Sequence, residues 1–273
     1  MLQVSVVIIT KNELVNIADC IASAKKISTD IIVIDSGSTD TTVALAKKEN
    51  VQVQSVAWKG YGHSRNTGAL LAKNDWIFSL DADERVTTEL ANSISTINPA
   101  DETFVYGCKR VNYFCDKRIR YGAFAHDNIF RLYNRRYNQW NAAPVHEKLT
   151  GKKLKMITNS AHILHYTARA EIVYRKKIMG YAALCALKYQ HEKKKFIHVR
   201  SWVSPVFDFA KAYIFQFGFL DEQRGFSIAK INAQYTRKKY QLLLGLMNKE
   251  RKHLPHSNSF RHSLRNIILF LFQ

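Results

Sequence analysis

Residues 76–87 read WIFSLDADERVT, an apolar run that ends in three carboxylates within four positions: Asp81, Asp83 and Glu84. The whole chain carries 41 Lys+Arg against 22 Asp+Glu, so acid concentrated here calls for a reason. Two local explanations are open. Asp81 and Asp83 can cap the helix that the pattern predicts near Thr87, where negative charge favours the positive end of the helix dipole. A solvated acidic turn is equally cheap. The rest of the chain decides between these and a chemical role.

Outward from this stretch, short apolar runs alternate with helical periodicity. VSVVIIT (4–10) reads as a buried strand, residues 14–26 as an amphipathic helix and DIIVID (30–35) as a second strand. A helix over 39–48, a strand over 51–56, a helix over 64–73 and the strand WIFSL (76–80) follow. Alternation of this kind, with β-branched strands, predicts an α/β fold with a mostly parallel sheet flanked by helices. Ligands of such sheets gather beyond the carboxyl ends of the strands. The polar groups found there are Thr10 to Glu13, Asp35 to Asp40, and Asp81 with Asp83, all at one edge of one cleft.

From residue 103 the pattern turns antiparallel, with strands expected over 103–114 and 127–134 and two short ones within 154–166. After Thr167 it turns helical over 168–190, 203–219 and 224–247. Charge divides along the same line. Residues 1–150 hold 18 Lys+Arg and 16 Asp+Glu, whereas residues 151–273 hold 23 and 6. That imbalance suits nucleic acid, an anionic lipid surface or a phosphorylated substrate, and does not choose among them.

Cys20, Cys108, Cys115 and Cys185 are widely spaced, and MLQVSVVIITKNE has no basic region before its apolar run. Free thiols, a first strand in place of a leader and a reducing cytoplasm are the expectation. The apolar run IILFLF (267–272) falls far short of the ~18 residues that a membrane span requires.

GYGHSR (60–65) has Arg65 where a dinucleotide fingerprint needs its third glycine, and P-loop, nucleophile-elbow and HExxH patterns are absent. The acidic turn remains. Two carboxylates at i and i+2 suit a hard divalent cation that also takes phosphate oxygens. A departing diphosphate needs such a cation as negative charge builds on its oxygen. Arg65 and Asn66 can bring positive charge and amide donors to the same cleft.

VSVVIITKNE, DIIVIDSGSTDTT, GYGHSRNTGALLAKNDWIFSLDADERV and APVHEKL occur in that order. Together they resemble the inverting family 2 glycosyltransferases of GT-A fold. HILHYTARAEIVYRKKIMGYAALCA and FGFLDEQRGF are similar to the bacterial branch that adds a β-1,4-linked glucose to the lipopolysaccharide inner core. The resemblance implies a GT-A nucleotide-sugar-binding and catalytic domain over 1–166. It also implies a basic helical region over 167–273 that meets the acceptor and a membrane surface.

By the same resemblance Thr10, Asn12, Glu13 and Asp35 hold the nucleotide, with Arg65 and Asp81 beside it. Asp83, with Asp81, takes a divalent metal, Mg2+ or Mn2+. Glu147 in VHEK is the general base, although the more widespread form of that motif is Glu-Asp. The donor implied is a nucleotide diphosphate sugar, UDP-glucose, and the acceptor a glycolipid of the lipopolysaccharide core. The branch often carries glycine where this chain has Glu222. The alternative function is a non-catalytic basic protein that binds RNA or acidic polymers, but no RNA-binding module is recognisable and nucleic acid is not an expected partner.

His146 either orients Glu147 or is structural. His162 and His165 alternate on a strand, where packing or hydrogen bonding is the expected role. Trp58, Tyr61 and Trp140 are expected as wall and core. Lys176, Lys177, Lys193 to Lys195, Arg237, Lys238 and Lys239, with the tail SFRHSLRNIILFLF, are expected to meet an anionic membrane, peripherally and on its cytoplasmic face.

Overall fold

In the computed structural model, which describes residues 2–125, 127–142, 147–158, 161–192 and 196–252, four strands set the frame. They are β1 (Val4–Thr10), β2 (Ile31–Asp35), β3 (Gln52–Ser55) and β4 (Trp76–Asp81), parallel and ordered β3-β2-β1-β4. All seven residues of β1 are buried. Successive side chains point to opposite faces. Val4, Val6 and Ile8 therefore join one core with α1 (Ile17–Ala24) and α2 (Thr42–Lys48), while Val7 and Ile9 join another with Ala69 and Ala72 at and just beyond α3 (Tyr61–Leu71). Helices on both faces explain why β1, β2 and β4 read as continuous apolar runs, while β3 at the edge is largely exposed. The order reverses at β1, whose neighbours are β2 and β4, which places a topological switch between the ends of β1 and β4.

α3 starts three residues before the predicted helix because Gly60 turns the chain at φ 110°. A Cβ on Gly68 would meet Val7, and one on Gly62 would meet the Asn141 carbonyl. The glycines and small residues of this segment thus bring a helix close to its sheet.

Beyond β4 come β5 (Glu84–Val86), α4 (Thr88–Ser95), β6 (Val105–Phe114), β7 (Lys117–Arg118), β8 (Asn128–Asn134), β9 (Leu154–Met156) and β10 (His162–Ala168). The sheet continues β4-β8-β6-β10-β5, with β7 and β9 on β6. β8 is antiparallel to β4 and β6, and β5 to β10. β5 is a strand that the sequence pattern does not predict. It places Glu84 inside the sheet, immediately after the acidic turn.

Two compact units are present: residues 1–118 with 124–167, and residues 119–123 with those from 168 onward. The second contains α5 (Glu171–His191), α6 (Ile197–Ala210), a π-helical turn over Lys211–Phe215, a 3-10 turn over Gly218–Asp221, and α7 (Glu222–Lys252). The apolar periodicity predicts one helix over 203–219. α6 instead begins at Ile197 and gives way to the π turn. Within this unit Ala186, Ile197, Tyr240 and Leu243 form a core. The Asp221 carboxylate accepts from the backbone N–H of Arg120 at 3.0 Å and of Tyr121 at 2.8 Å. A Cβ on Gly225 would lie against the Gly218 carbonyl, so FGFLDEQRGF needs both glycines for backbone contact. Glu222 sits at φ 54°, ψ −137°, a conformation that favours glycine. No described helix is long and apolar enough to cross a membrane.

Lys239 departs from its expected surface role. It is buried, with its ammonium 5.1, 5.2 and 5.0 Å from the rings of Tyr189, Tyr235 and Tyr240. Cation–π attraction replaces part of its lost hydration. Arg237 and Lys238 are exposed. Lys193 to Lys195 and the tail SFRHSLRNIILFLF lie outside the described residues.

Candidate active site

The carboxyl ends of three adjacent parallel strands carry the predicted polar residues in register. Thr10 lies opposite Asp35, and Ile9 opposite Asp81. Thr10 is buried, and its hydroxyl has no partner among the described residues. Asn12, at φ 54°, donates its N–H to Ser38 Oγ at 2.9 Å and accepts from Thr39 N at 2.8 Å. Glu13 accepts from Asn16 Nδ2 at 2.7 Å and donates its N–H to Thr42 Oγ1 at 2.8 Å. Asp35 closes the next loop, accepting from Gly37 N and Ser38 N, each at 3.1 Å, and from the Ser38 hydroxyl. Asn12 and Glu13 therefore tie the loop after β1 to the loop after β2, which Asp35 closes on itself.

The acidic turn is not a helix cap. Thr87 caps α4, accepting from Leu90 N at 3.3 Å. Asp81 and Asp83 instead enter an ionic network. Arg65, buried on α3, reaches Asp81 Oδ1 at 2.6 Å, Ser79 Oγ at 2.6 Å and Glu147 Oε1 at 3.3 Å. Arg131 on β8 reaches Asp81 Oδ2 at 2.8 Å and Glu84 Oε1 at 3.0 Å. Glu84, fully buried, also accepts from Arg110 at 3.2 Å and from Asp81 N at 2.9 Å. Burial alone would raise the Asp81 pKa, but the Arg65 and Arg131 guanidiniums outweigh it and hold the carboxyl well below the usual range.

Glu147 arrives on the segment after β8. Trp140 N donates to Asn66 Oδ1 and Asn66 Nδ2 to the Trp140 carbonyl, both at 2.9 Å. Lys148 N then donates to Asn141 Oδ1 at 3.2 Å. Asn66 was expected to offer donors to the cleft. Its amide is instead engaged on the backbone that leads to Glu147. Trp140 is buried, with the Arg65 guanidinium 4.7 Å from its ring, a place in the wall as expected. His146 lies outside the described residues.

Asp83 Oδ2 faces His165 Nε2 at 3.4 Å. Asn112 places a hydrogen on Nδ1 of His165. Its Nδ2 donates to the Phe124 carbonyl at 3.1 Å and to Asp127 at 3.4 Å, so its Oδ1 accepts from His165 Nδ1 at 2.6 Å. Nε2 is thereby left facing a carboxylate oxygen, where a neutral imidazole can share a cation with Asp83. An oxygen and an imidazole nitrogen suit Mn2+ or Mg2+ when diphosphate and water supply the other ligands. Asp81, Asp83, Glu84, Asp127 and Glu147 also outnumber Arg65, Arg110 and Arg131 by two charges. The donor set therefore fits a divalent ion, although the described residues hold no group of three or more His, Cys, Asp or Glu so arranged.

His165 makes a hydrogen bond as expected, to Asn112, and also lies at the acidic turn, whereas Arg131 and Arg110 were not anticipated. The signal for Arg131 was an arginine inside the apolar strand NIFRLYN, which demands a buried partner. Nothing in the sequence identified that partner.

Residues 5–159 match the family described as Glycosyl transferase family 2. An uncharacterized glycosyltransferase of Rickettsia prowazekii is 31% identical over 237 residues, covering 80% of each chain. Another, from Rickettsia felis, is 30% identical over 235 residues, covering 80% of this chain and 82% of its own. Among solved structures, the mannosyltransferase PcManGT of Pyrobaculum calidifontis, in complex with GDP-Man and Mn2+, aligns over 90% of this chain and 86% of its own with TM-score 0.50 and 15% identity. The chain belongs to glycosyl transferase family 2. Its α/β sheet flanked by helices is the GT-A fold, and the family replaces the alternative of a non-catalytic binding protein.

Proposed function

We propose that the chain moves a hexose from a nucleotide diphosphate sugar, UDP-glucose, to a hydroxyl of a lipopolysaccharide-core or related glycolipid, with inversion at the anomeric carbon. The observation that carries this reading is the single guanidinium of Arg65 between Glu147 and Asp81, with Asp83 and His165 facing each other nearby. An inverting transfer needs one carboxylate to take the acceptor proton and a separate electrophilic group for the departing diphosphate.

In this reading Glu147 accepts the proton of the acceptor hydroxyl. Arg65 holds that carboxylate in place through Nε while its other nitrogens are anchored on Ser79 and Asp81. Asp83 and His165 would hold a divalent ion, which supplies charge to the leaving diphosphate. Asn112 orients the His165 ring through Nδ1, so that Nε2 faces Asp83. Both Asp81 oxygens are bound by arginines, which makes Asp81 an organiser of the site and leaves Asp83 the direct ligand. Thr10, with its unpartnered hydroxyl, and the loops tied by Asn12, Glu13 and Asp35 would receive the nucleoside. The GDP-Man and Mn2+ of the archaeal mannosyltransferase are ligands of the classes proposed here. The acceptor's lipid and the basic C-terminal half support a peripheral location on the cytoplasmic face of the inner membrane.

The test is release of nucleoside diphosphate across a panel of nucleotide sugars, with Mn2+, with Mg2+ and with chelator, plus NMR assignment of the product anomer. Turnover only with metal, inversion, and loss of both turnover and metal-dependent nucleotide binding in Asp83→Asn are expected. Undiminished turnover in chelator, or retention of configuration, overturns the reading.

A further inference from the structure

α6 carries two faces of opposite character, and the apolar one looks outward. Ile197, Ser201 and Pro205 are buried, and Asp208 accepts from Thr236 Oγ1 of α7 at 2.7 Å, so this face packs on α7. On the other side Val199, Trp202, Val203, Val206 and Phe207 recur at i, i+3, i+4, i+7 and i+8, and each is 58–70% exposed. Ile214, Phe215 and Phe217 carry the exposed apolar surface through the π turn and past it. Contiguous apolar surface of this extent marks an interaction site.

Cations border it. The Arg237 guanidinium lies 5.0 Å from the Trp202 ring, and Arg200 and Lys211 are exposed on the same segment. Lys230 Nζ lies 5.9 Å from the Phe226 ring. An apolar stripe rimmed by cations, with a Trp beneath an Arg, matches the boundary between anionic headgroups and acyl chains. A second copy fits less well, because residues 151–273 hold 23 Lys+Arg against 6 Asp+Glu and would meet like charge.

We infer that the outward face of α6 and the π turn after it form the docking surface that seats this chain on an anionic lipid bilayer. The inference rests on the membrane-bound acceptor proposed above and names the element that makes the contact. The helix lies in the interface and does not cross it, since no described helix is long and apolar enough to span.

The test is flotation of the full chain with phosphatidylglycerol–phosphatidylcholine vesicles, with fluorescence quenching of Trp202 by bromine-labelled acyl chains. Trp202→Phe identifies that signal among the four tryptophans. Binding is expected to weaken with salt. Val206→Asp and Phe207→Asp should each lower partitioning by about tenfold or more, and Phe207→Leu should largely retain it. Thermal unfolding and nucleotide-sugar hydrolysis in solution should stay unchanged in these variants. Wild type and both Asp variants binding alike, or bound chain with unquenched Trp202, overturns the α6 assignment while leaving the membrane reading intact. A wild type that modifies a detergent-dispersed glycolipid yet ignores vesicles refutes membrane docking itself. Self-association abolished by the Asp variants, without vesicle binding, reassigns the face to a copy of the chain.

Discussion

The two units handle polarity in opposite ways. The N-terminal unit buries charge: Arg65, Arg131, Asp83 and Glu84 are all inside it, beside fully buried apolar strands. The C-terminal unit exposes apolar side chains along α6 with Arg200, Lys211 and Arg237 at their margin, although it buries Lys239 among tyrosine rings. A buried ion must be matched by partners at fixed distances, or its desolvation cost stands uncompensated. The first unit therefore needs rigidity, and strand ends supply it. Exposed apolar surface tolerates imprecise geometry and instead needs a partner. One unit holds charged groups at fixed atoms, and the other presents an apolar face outward.

That contrast can be attacked directly, beginning with the chemistry. Glu147→Gln keeps the shape and the bond from Arg65 but cannot accept a proton, so kcat should fall about 10²–10⁴-fold with donor KM nearly unchanged. Steady-state kinetics in which kcat holds and donor affinity collapses would move Glu147 into the nucleotide site. Next, Arg131→Met removes a cation shared by Asp81 and Glu84 and should cost about 3–5 kcal/mol in urea unfolding. The exposed Arg237→Met should change stability by no more than about 0.5 kcal/mol. Equal losses would erase the distinction between the units.

A smaller effect is expected at Glu222, whose positive φ strains any residue with a Cβ. Glu222→Gly should stabilise the helical unit by about 1 kcal/mol, read from its melting temperature. A drop on substitution would show that the side chain offsets its backbone strain.

The smallest effect is electrostatic and at the surface. Lys153, then Thr103, hold the Asp101 carboxyl at about 2. A carboxyl depressed on folding contributes stability above its unfolded pKa of about 4, and that contribution is lost as pH falls through the folded value. NMR titration should find the Asp101 midpoint near 2, returning toward the ordinary value in Lys153→Ala. An unmoved midpoint would assign the shift to Thr103 alone.

Much of the frame was legible in the residues themselves. Strands β1, β2 and β4 announce themselves because a parallel sheet covered on both faces needs apolar side chains at nearly every position, the edge strand β3 shows only alternation, and the intervening helices repeat at their own period. Asp81 and Asp83 stood out because carboxylates directly after such a strand must lie at its carboxyl end. What tertiary structure alone decided is where long-range partners meet. Arg65 finds Glu147 across 82 residues, and Arg131 finds Glu84 across 47. His165 gains its place opposite Asp83 only because β10 pairs with β5, a strand too short and too polar to show a period. The same limit governs α6 and Lys239. Spacing tells that a helix has an apolar face or carries a lysine, but burial depends on which side α7 covers, and that is a property of packing rather than of any single segment.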